Sequence, residues 1–317
     1  MKRIAIICVI LCTPLLINAQ VQIPTLDDLD HEIAMSSQYD KQYEDVIRSV
    51  KKQLHAAKTL EARCELSDKL FNLYTSYSVD YAMEKQKIAK AMGNQSKVND
   101  AKLNLAYLLI RGGELKEASD IINSIPRSEI NQDLSFYYFS TRKTLYHTLA
   151  DAALIPSQRK MYKQMEKLCN DSVVDNNQSP DIWSRAEQLV NRQQYEQAKK
   201  ILLDAYHHLK PGDRQTAFVS ISLADIYGRD KNVEAQKQYL IAAAISDIRN
   251  SVKEYLALQQ LAVILFEEGD TKRAYAYMDH AMNDAVFCNA RQRTIAMADV
   301  WPAIEKSHER ETKSRTL

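Results

Sequence analysis

Residues 182–211 read IWSRAEQLVNRQQYEQAKKILLDAYHHLKP. Their apolar residues recur at the spacing of two helices joined by a turn near residues 192–195. In that arrangement Ala186 on the first helix lies opposite Ala198 and Ala205 on the second. Small side chains at facing positions let two helices interdigitate closely. The stretch therefore predicts a helical hairpin that packs through its small residues.

The same pattern recurs along the chain at a period typical of helical repeats. A small residue equivalent to Ala198 occurs at Ala82, Ala118, Ala235 and Ala274. Seven residues after each of these five alanines lies a second residue of the same face, at Ala89, Ile125, Ala205, Ala242 and Ala281. Twelve residues before each, the first helix carries Leu70, Ala106, Ala186, Leu223 and Ala262. The sequence therefore predicts five anchored hairpins.

Turns and breaks fit this register. Glycine-containing turns at residues 111–114, 228–230 and 268–270 stand where a first helix must end, and Pro126 and Pro211 follow second helices. The gap between Ala118 and Ala198 has room for one more hairpin, which we predict at residues 134–150 and 157–169, broken near Pro156. This sixth hairpin lacks the small anchors, and a polar loop at residues 170–180 should close it.

These features resemble tetratricopeptide repeats over most of the chain. The resemblance implies an all-α fold, a helical-hairpin solenoid wound as a right-handed superhelix, with six repeats between N- and C-terminal capping helices. Leucine or alanine replaces the family's glycine on the first helix, so the repeats are degenerate. The expected organisation is a signal peptide (1–19), an N-terminal helical segment (20–60), the repeat array (61–285) and a capping helix with a polar tail (286–317).

The two ends carry their own helical patterns. The apolar stripe of residues 26–54 predicts one long helix, or two in line, packed on the first hairpin; a coiled coil with a second chain would use the same stripe. Residues 290–307 predict a final helix, with Ile295, Ala298, Trp301 and Ile304 covering the last hairpin and Pro302 bending or ending it. Residues 308–317 are polar and are expected to be disordered.

The first residues have the parts of a secretory signal: Lys2 and Arg3, an apolar run at residues 4–17, and Ala19 before polar sequence. We expect cleavage after Ala19 and a periplasmic location. The apolar run is shorter than the roughly 20 residues of a membrane-spanning helix, so a retained anchor is the alternative. Lipid attachment at Cys12 is disfavoured by the bulky Leu11 before it.

Composition excludes several functions. Removal of the signal peptide leaves 40 basic against 41 acidic residues, which offers no basic face for nucleic acid. Cys64, Cys169 and Cys288 remain, too far apart for a disulfide framework, and should be buried small hydrophobes. The adjacent His207 and His208 would point about 100° apart on a helix, which does not suit a metal. The acidic run at residues 27–32 suits a helix start. No catalytic, cofactor or metal site is predicted.

A binding surface is predicted on the concave face, which the first helices of such an array line. Positions facing it supply nine candidate partner-binding residues: Phe71, Tyr74, Tyr107, Arg111, Trp183, Glu187, Tyr227, Gln259 and Phe266. Exposed aromatic residues with occasional charges are typical of hot spots for protein partners. The alternative is that these rings fill the core between repeats.

Three stretches resemble, more narrowly, a group of membrane-anchored bacterial repeat regulators: LDDLDHEIAMSSQYDKQYEDVIRSVKKQL (26–54), LSDKLFNLYTSYSVDYAMEKQKIAKAMG (66–93) and NARQRTIAMADVWPAIEKS (289–307). The resemblance implies a non-enzymatic periplasmic scaffold for a protein or peptide, the input half of a regulator whose membrane helix would follow Leu317. Membrane association would come from that helix or from a retained signal. The alternatives are a self-assembling structural module, such as a homodimer through residues 26–54 or the Trp301 helix, and a helical enzyme with convergent titratable groups in its concave face.

Overall fold

The computed structural model describes residues 24–73, 79–175, 181–209, 212–253, 256–288 and 290–315. These residues form fifteen α-helices, one 3₁₀ turn at Arg127–Glu129, and no strand. The helices are α1 (Leu26–Ala56), α2 (Leu60–Leu73), α3 (Val79–Ala91), α4 (Gln95–Gly112), α5 (Leu115–Asn123), α6 (Gln132–Ala152), α7 (Pro156–Asp175), α8 (Ile182–Asn191), α9 (Tyr195–His208), α10 (Gln215–Arg229), α11 (Val233–Arg249), α12 (Leu256–Glu267), α13 (Thr271–Phe287), α14 (Arg291–Ala298) and α15 (Trp301–Arg315).

Six consecutive helix pairs pack as hairpins: α2 with α3, α4 with α5, α6 with α7, α8 with α9, α10 with α11, and α12 with α13. Each hairpin also packs on the next one along the chain, through contacts such as α3 with α4 and α11 with α12. The all-helical array of six hairpins predicted from the sequence is confirmed.

In four of the described hairpin turns, one residue adopts the left-handed conformation. Gly113 (φ 86°) and Gly269 (φ 88°) adopt it after α4 and α12, as two of the predicted glycine turns require. Gln193 (φ 61°) and Lys231 (φ 57°) take the same conformation after α8 and α10 without glycine. The third predicted glycine, Gly228, lies inside α10 instead of in its turn.

The small anchors are buried where the prediction needs them. Ala82, Ala118, Ala198 and Ala274 have no exposed surface. All five first-helix partners twelve residues earlier are also at most 1% exposed: Leu70, Ala106, Ala186, Leu223 and Ala262. Close approach of helices through small residues is therefore the packing principle of the array.

The hairpin of α10 and α11 departs from the predicted register by one residue. Counted from the helix start, the fourth residue is Ala198 in α9 and Ala274 in α13, but Gln236 in α11. The predicted anchor, Ala235, is only half-buried. Gln236 fits because Gly228 faces it: a Cβ atom on Gly228 would lie 2.7 Å from Nε2 of Gln236. In this hairpin the small residue of the contact, Gly228, lies on the first helix, whereas in the other anchored hairpins it lies on the second.

The sixth hairpin, α6 with α7, lies where the sequence placed it. Pro156 is the first residue of α7, a position where a missing N–H costs nothing, so the break between the two helices lies just before it, close to the predicted position. The helix continues to Asp175, so the predicted loop from residue 170 was wrong over its first half; residues 176–180 lie outside the described chain. Cys169, Asn170 and Val173 are buried, which explains why the helix extends this far.

The N-terminal helix α1 connects both ends of the array. Its second half packs Ile47 and Val50 against Leu70 of α2, as predicted for an intramolecular stripe. Its first half packs on α11 and α13, where Leu29 is fully buried in the core of the last hairpins. This second contact was not expected, since the sequence analysis placed the whole stripe on the first hairpin.

Charge pairs fix the first half of α1. Asp28 forms a capping box with Thr25, the role expected of an acidic residue at a helix start. Other acidic residues of α1 instead form ion pairs with the last hairpins: Asp30 with Arg273 (2.9 Å), Glu32 with Arg249 (2.5 Å) and Asp40 with Lys253 (2.6 Å). The interpretation of residues 27–32 as solvated helix-start acids was therefore wrong for Asp30 and Glu32.

The C-terminal end contains two helices where one was predicted. The chain breaks at residues 299–300, and Pro302 occupies the first turn of α15, where proline is tolerated. Residues 308–315, expected to be disordered, continue α15. Ile304 is fully buried in the last core and Trp301 stacks on Tyr275 at 5.2 Å, so α15 covers the end of the array as predicted. The predicted apolar side does not include Ile295, which is 55% exposed.

The expected signal peptide, residues 1–19, lies outside the described residues. Among the helices that are described, none combines the length and the apolar character needed to cross a membrane.

Candidate functional site

The helices of the array surround an internal cavity. Helix α14 packs back on α4, and α1 joins α2 to α11, so elements from the start, middle and end of the chain surround a cavity of about 280 Å³. Aromatic and charged side chains from six helices and two loops line it: Tyr43 (α1), Tyr107 (α4), Trp183 (α8), Phe218 (α10), Asp247 (α11), Arg293 (α14), Arg214 (before α10) and Lys253 (after α11). We call this space the central cavity.

Two neighbouring cavities share walls with the central cavity. One of about 480 Å³ shares Tyr43, Leu73 and Arg214 with it. Another, of about 420 Å³, shares Tyr107 and Arg293 and lies between α4, α6 and α14. The three cavities therefore lie side by side and share wall residues.

Three predicted partner-binding residues line these spaces. Tyr107 and Trp183 line the central cavity, and Arg111 lines the cavity beside α14, where it is half-buried. Gln259 and Phe266 are half-buried on α12, and Phe266 packs on the core of the last hairpins. Neither of these two is among the residues that line the three cavities.

The structure places Phe71 and Tyr227 elsewhere. Phe71 is 5% exposed and packs with Ala82 and Leu108, so it belongs to the core and not to the concave surface. Tyr227 stacks on Tyr239 at 5.5 Å inside the hairpin of α10 and α11. The register shift of α11 explains this, because Tyr227 stands nine residues before Gln236 and so takes the core position of the other first helices. The ninth candidate, Tyr74, lies outside the described residues.

Trp183 and Glu187 are tied to the sixth hairpin by a buried lysine. Lys143 of α6 is 7% exposed; its Nζ lies 2.5 Å from Oε2 of Glu187 and 3.9 Å from the centre of the Trp183 ring. An ion pair with a cation–π contact takes the place of the missing small anchors at this joint. Glu187 is thus engaged within the protein, while the other side of Trp183 faces Phe218 and the cavity.

Two charged residues that line the central cavity, Asp247 and Arg293, take part in no such pair within the described residues. Neither of them makes a side-chain hydrogen bond with any other described residue. Burial raises the pKa of Asp247 to about 8, although Arg214 and Arg293 oppose the shift. Burial, and next to it the charge of Arg111, lowers the pKa of Arg293. The hydroxyl of Ser251, which also lines the cavity, is buried without a partner there.

Arg214, Asp247 and Arg293 were not predicted from the sequence. The predicted positions all lie on first helices, whereas these three residues come from a loop, the end of a second helix and helix α14. Repeat spacing carries no signal for such positions, because each depends on how the array curves back on itself.

Side chains for other chemistry are not assembled in the described chain. No group of three or more histidine, cysteine or acidic residues could hold a metal ion there. His207 and His208 lie exposed at the end of α9, and Nδ1 of His208 contacts the carbonyl of Asp204. Cys64, Cys169 and Cys288 are buried, and burial raises the thiol pKa of Cys64 and Cys169, which keeps both protonated.

The chain matches a known family: the sequence profile described as the SusR N-terminal TPR domain covers residues 33–299, from the first third of α1 to just after α14. No curated protein matches the chain.

Proposed function

The chain belongs to the family of SusR N-terminal TPR domains, and from that premise we propose that it is the input half of a membrane-associated regulator. A TPR domain is a helical-repeat scaffold for protein interactions. The proposal adds the compartment, which is the periplasm, and the role, which is to report a bound protein or peptide to a partner half at the membrane. The signal-like residues 1–19 support the compartment.

One observation carries the recognition role: aromatic side chains converge on the interior of the array. Tyr107 and Trp183 come from different hairpins and line the same cavity. Aromatic anchors in a partly enclosed pocket are the residues that contribute most to protein recognition. A partner would insert a loop or a chain end there, because the cavities are too narrow for a folded domain.

A pull-down from periplasmic extract tests this role. We expect the wild type to retain a specific protein that the Tyr107→Ala, Trp183→Ala double variant loses. The matched control replaces two exposed apolar residues outside the cavities, Phe136→Ala with Leu168→Ala, and should retain it. Equal recovery by all three proteins would remove the assignment. Circular dichroism of each variant shows whether the fold is kept, since Trp183 also contacts Lys143.

Fractionation tests the compartment. The proposal expects the protein in the periplasmic fraction, with a mass that lacks residues 1–19. A protein of full length in the membrane fraction would favour the retained anchor, and a cytoplasmic protein would contradict the proposal.

Neither alternative has comparable support. The stripe of residues 26–54 and the ring of Trp301 already pack within the chain, which leaves little of them for a homodimer; light scattering showing a stable dimer would reverse this. The central cavity does bring titratable groups together, as a helical enzyme requires. However, Asp247 has no nucleophile or second acid within hydrogen-bond distance among the described residues, so the geometry suits binding.

A further inference from the structure

The central cavity is lined by one charged residue that is paired and by others that are not. Lys253, which also lines the cavity, is held by Asp40 at 2.6 Å and Asp284 at 3.2 Å. Asp247 and Arg293 have no such partner within the described chain, and neither has Arg214 at the mouth of the cavity. A charged group withdrawn from bulk water without a partner is costly. Such groups in a cavity mark a place where a ligand can supply the missing contacts.

The sign of this unpaired charge is positive. With its pKa raised to about 8, Asp247 is mostly protonated near neutral pH and can donate a hydrogen bond. Guanidinium groups stay charged in proteins. Among the acids of the neighbouring cavities, Asp151 lies near His147 and its charge favours the charged form of Arg293, Asp68 pairs with Lys85, and Glu65 is exposed. Guanidinium groups bind planar carboxylates through paired hydrogen bonds.

The walls define the rest of the ligand. Tyr43, Tyr107, Trp183 and Phe218 surround a volume of about 280 Å³. Cavities at the low end of the range for small-molecule sites have about this size. Flat apolar groups pack well against such rings.

We propose that the central cavity binds a small organic carboxylate with a flat apolar body, whose carboxylate meets Arg293 and Arg214 and whose body lies between the aromatic side chains. The protonated carboxyl of Asp247 and the unpartnered hydroxyl of Ser251 complete the polar side. This site goes beyond the proposed protein interaction. Because its walls come from α1, α11 and α14, an occupied cavity holds both ends of the array together.

The test uses the full mature chain and two probes of the same shape, indole-3-acetate and indole-3-acetamide. Calorimetry and thermal unfolding should show binding and a raised Tm with the carboxylate, and binding by the amide weaker by about tenfold or more, since a charge-assisted hydrogen bond contributes at least that factor. Arg293→Gln should abolish the preference for the carboxylate. Arg291→Gln, on the exposed side of the same helix, should keep it.

Three results would overturn the proposal. Equal binding of both probes would show an apolar cavity without anion recognition. Preference for the carboxylate that survives in Arg293→Gln would place the anion elsewhere, and no binding of either probe would leave the cavity without this function. If Arg293→Gln does not fold, Arg214→Gln gives the same test, because Arg214 is exposed at the mouth and its loss should not affect folding. The outcome is independent of the pull-down, which reports a protein partner.

Discussion

The shifted register of α11 can be tested by replacing Gly228 and Gln236 with alanine, singly and together. Alanine in place of glycine inside a helix stabilises a protein by about 0.5–1 kcal/mol. In the wild type, however, the new Cβ would lie 2.7 Å from Nε2 and 3.0 Å from Cδ of Gln236. Gln236 would have to leave its preferred rotamer, at a cost of about 0.5–1.5 kcal/mol. Gly228→Ala alone should therefore leave the free energy of unfolding nearly unchanged.

In the Gln236→Ala background the obstacle is gone, and Gly228→Ala should give the full helix gain of about 0.5–1 kcal/mol. The coupling energy between the two positions, measured by urea unfolding with far-ultraviolet circular dichroism, should be on the order of 1 kcal/mol. Gly112→Ala is the control, because nothing lies within 4 Å of a Cβ at that helical position, and it should show no coupling to Gln236. If Gly228→Ala stabilises equally in both backgrounds, Gln236 does not occupy the anchor position and the register argument is wrong.

Three further outcomes follow from the packing. Leu29→Ala should lower the free energy of unfolding by about 2–5 kcal/mol, because Leu29 is fully buried under the last hairpins; Val46→Ala, on the exposed side of α1, should change it little. Glu32→Gln should reduce the loss of stability at acid pH. The hydrogen bond from Arg249 lowers the pKa of Glu32 below 4.5, so the contribution of Glu32 to the free energy of unfolding is present at neutral pH and is lost as the pH falls through the folded-state pKa. Urea midpoints measured in buffers of decreasing pH will show this difference. Lys143→Met should cost about 3 kcal/mol by leaving Glu187 without its partner, and should change the fluorescence of Trp183; unchanged emission would contradict the cation–π contact.

Local signals made the hairpins predictable. Ala118 and Gly113 lie five residues apart and specify a turn and a close contact without reference to the rest of the chain. The sixth hairpin lacks the small anchors, yet the length of the gap and Pro156 placed it correctly. At α11 a local signal was misleading, because Ala235 has the residue type of an anchor. Only the contact between Gly228 and Gln236 shows which residue occupies the anchor position.

Long-range contacts could not be predicted in this way. The apolar stripe and the acidic run of α1 indicate that this helix packs on other helices, but they do not indicate which ones. The pairs that fix it, such as Asp30 with Arg273, join residues more than 200 positions apart. The same holds for the candidate site, since Tyr107 and Trp183 were found from repeat spacing whereas Asp247 and Arg293 meet only after the array has closed.

Closure by α1 also changes how the array should respond to a ligand. In an open solenoid each repeat contacts only its neighbours, so a change at one end fades along the chain. Here α1 contacts α2 and α11 at once, and α14 contacts α4, so the two ends share one set of contacts. A ligand in the central cavity touches helices from both ends, and its binding energy therefore adds to closure of the whole array and not to one hairpin. This closure is a physical route by which ligand binding at one place can affect the whole array, as the proposed regulatory role requires.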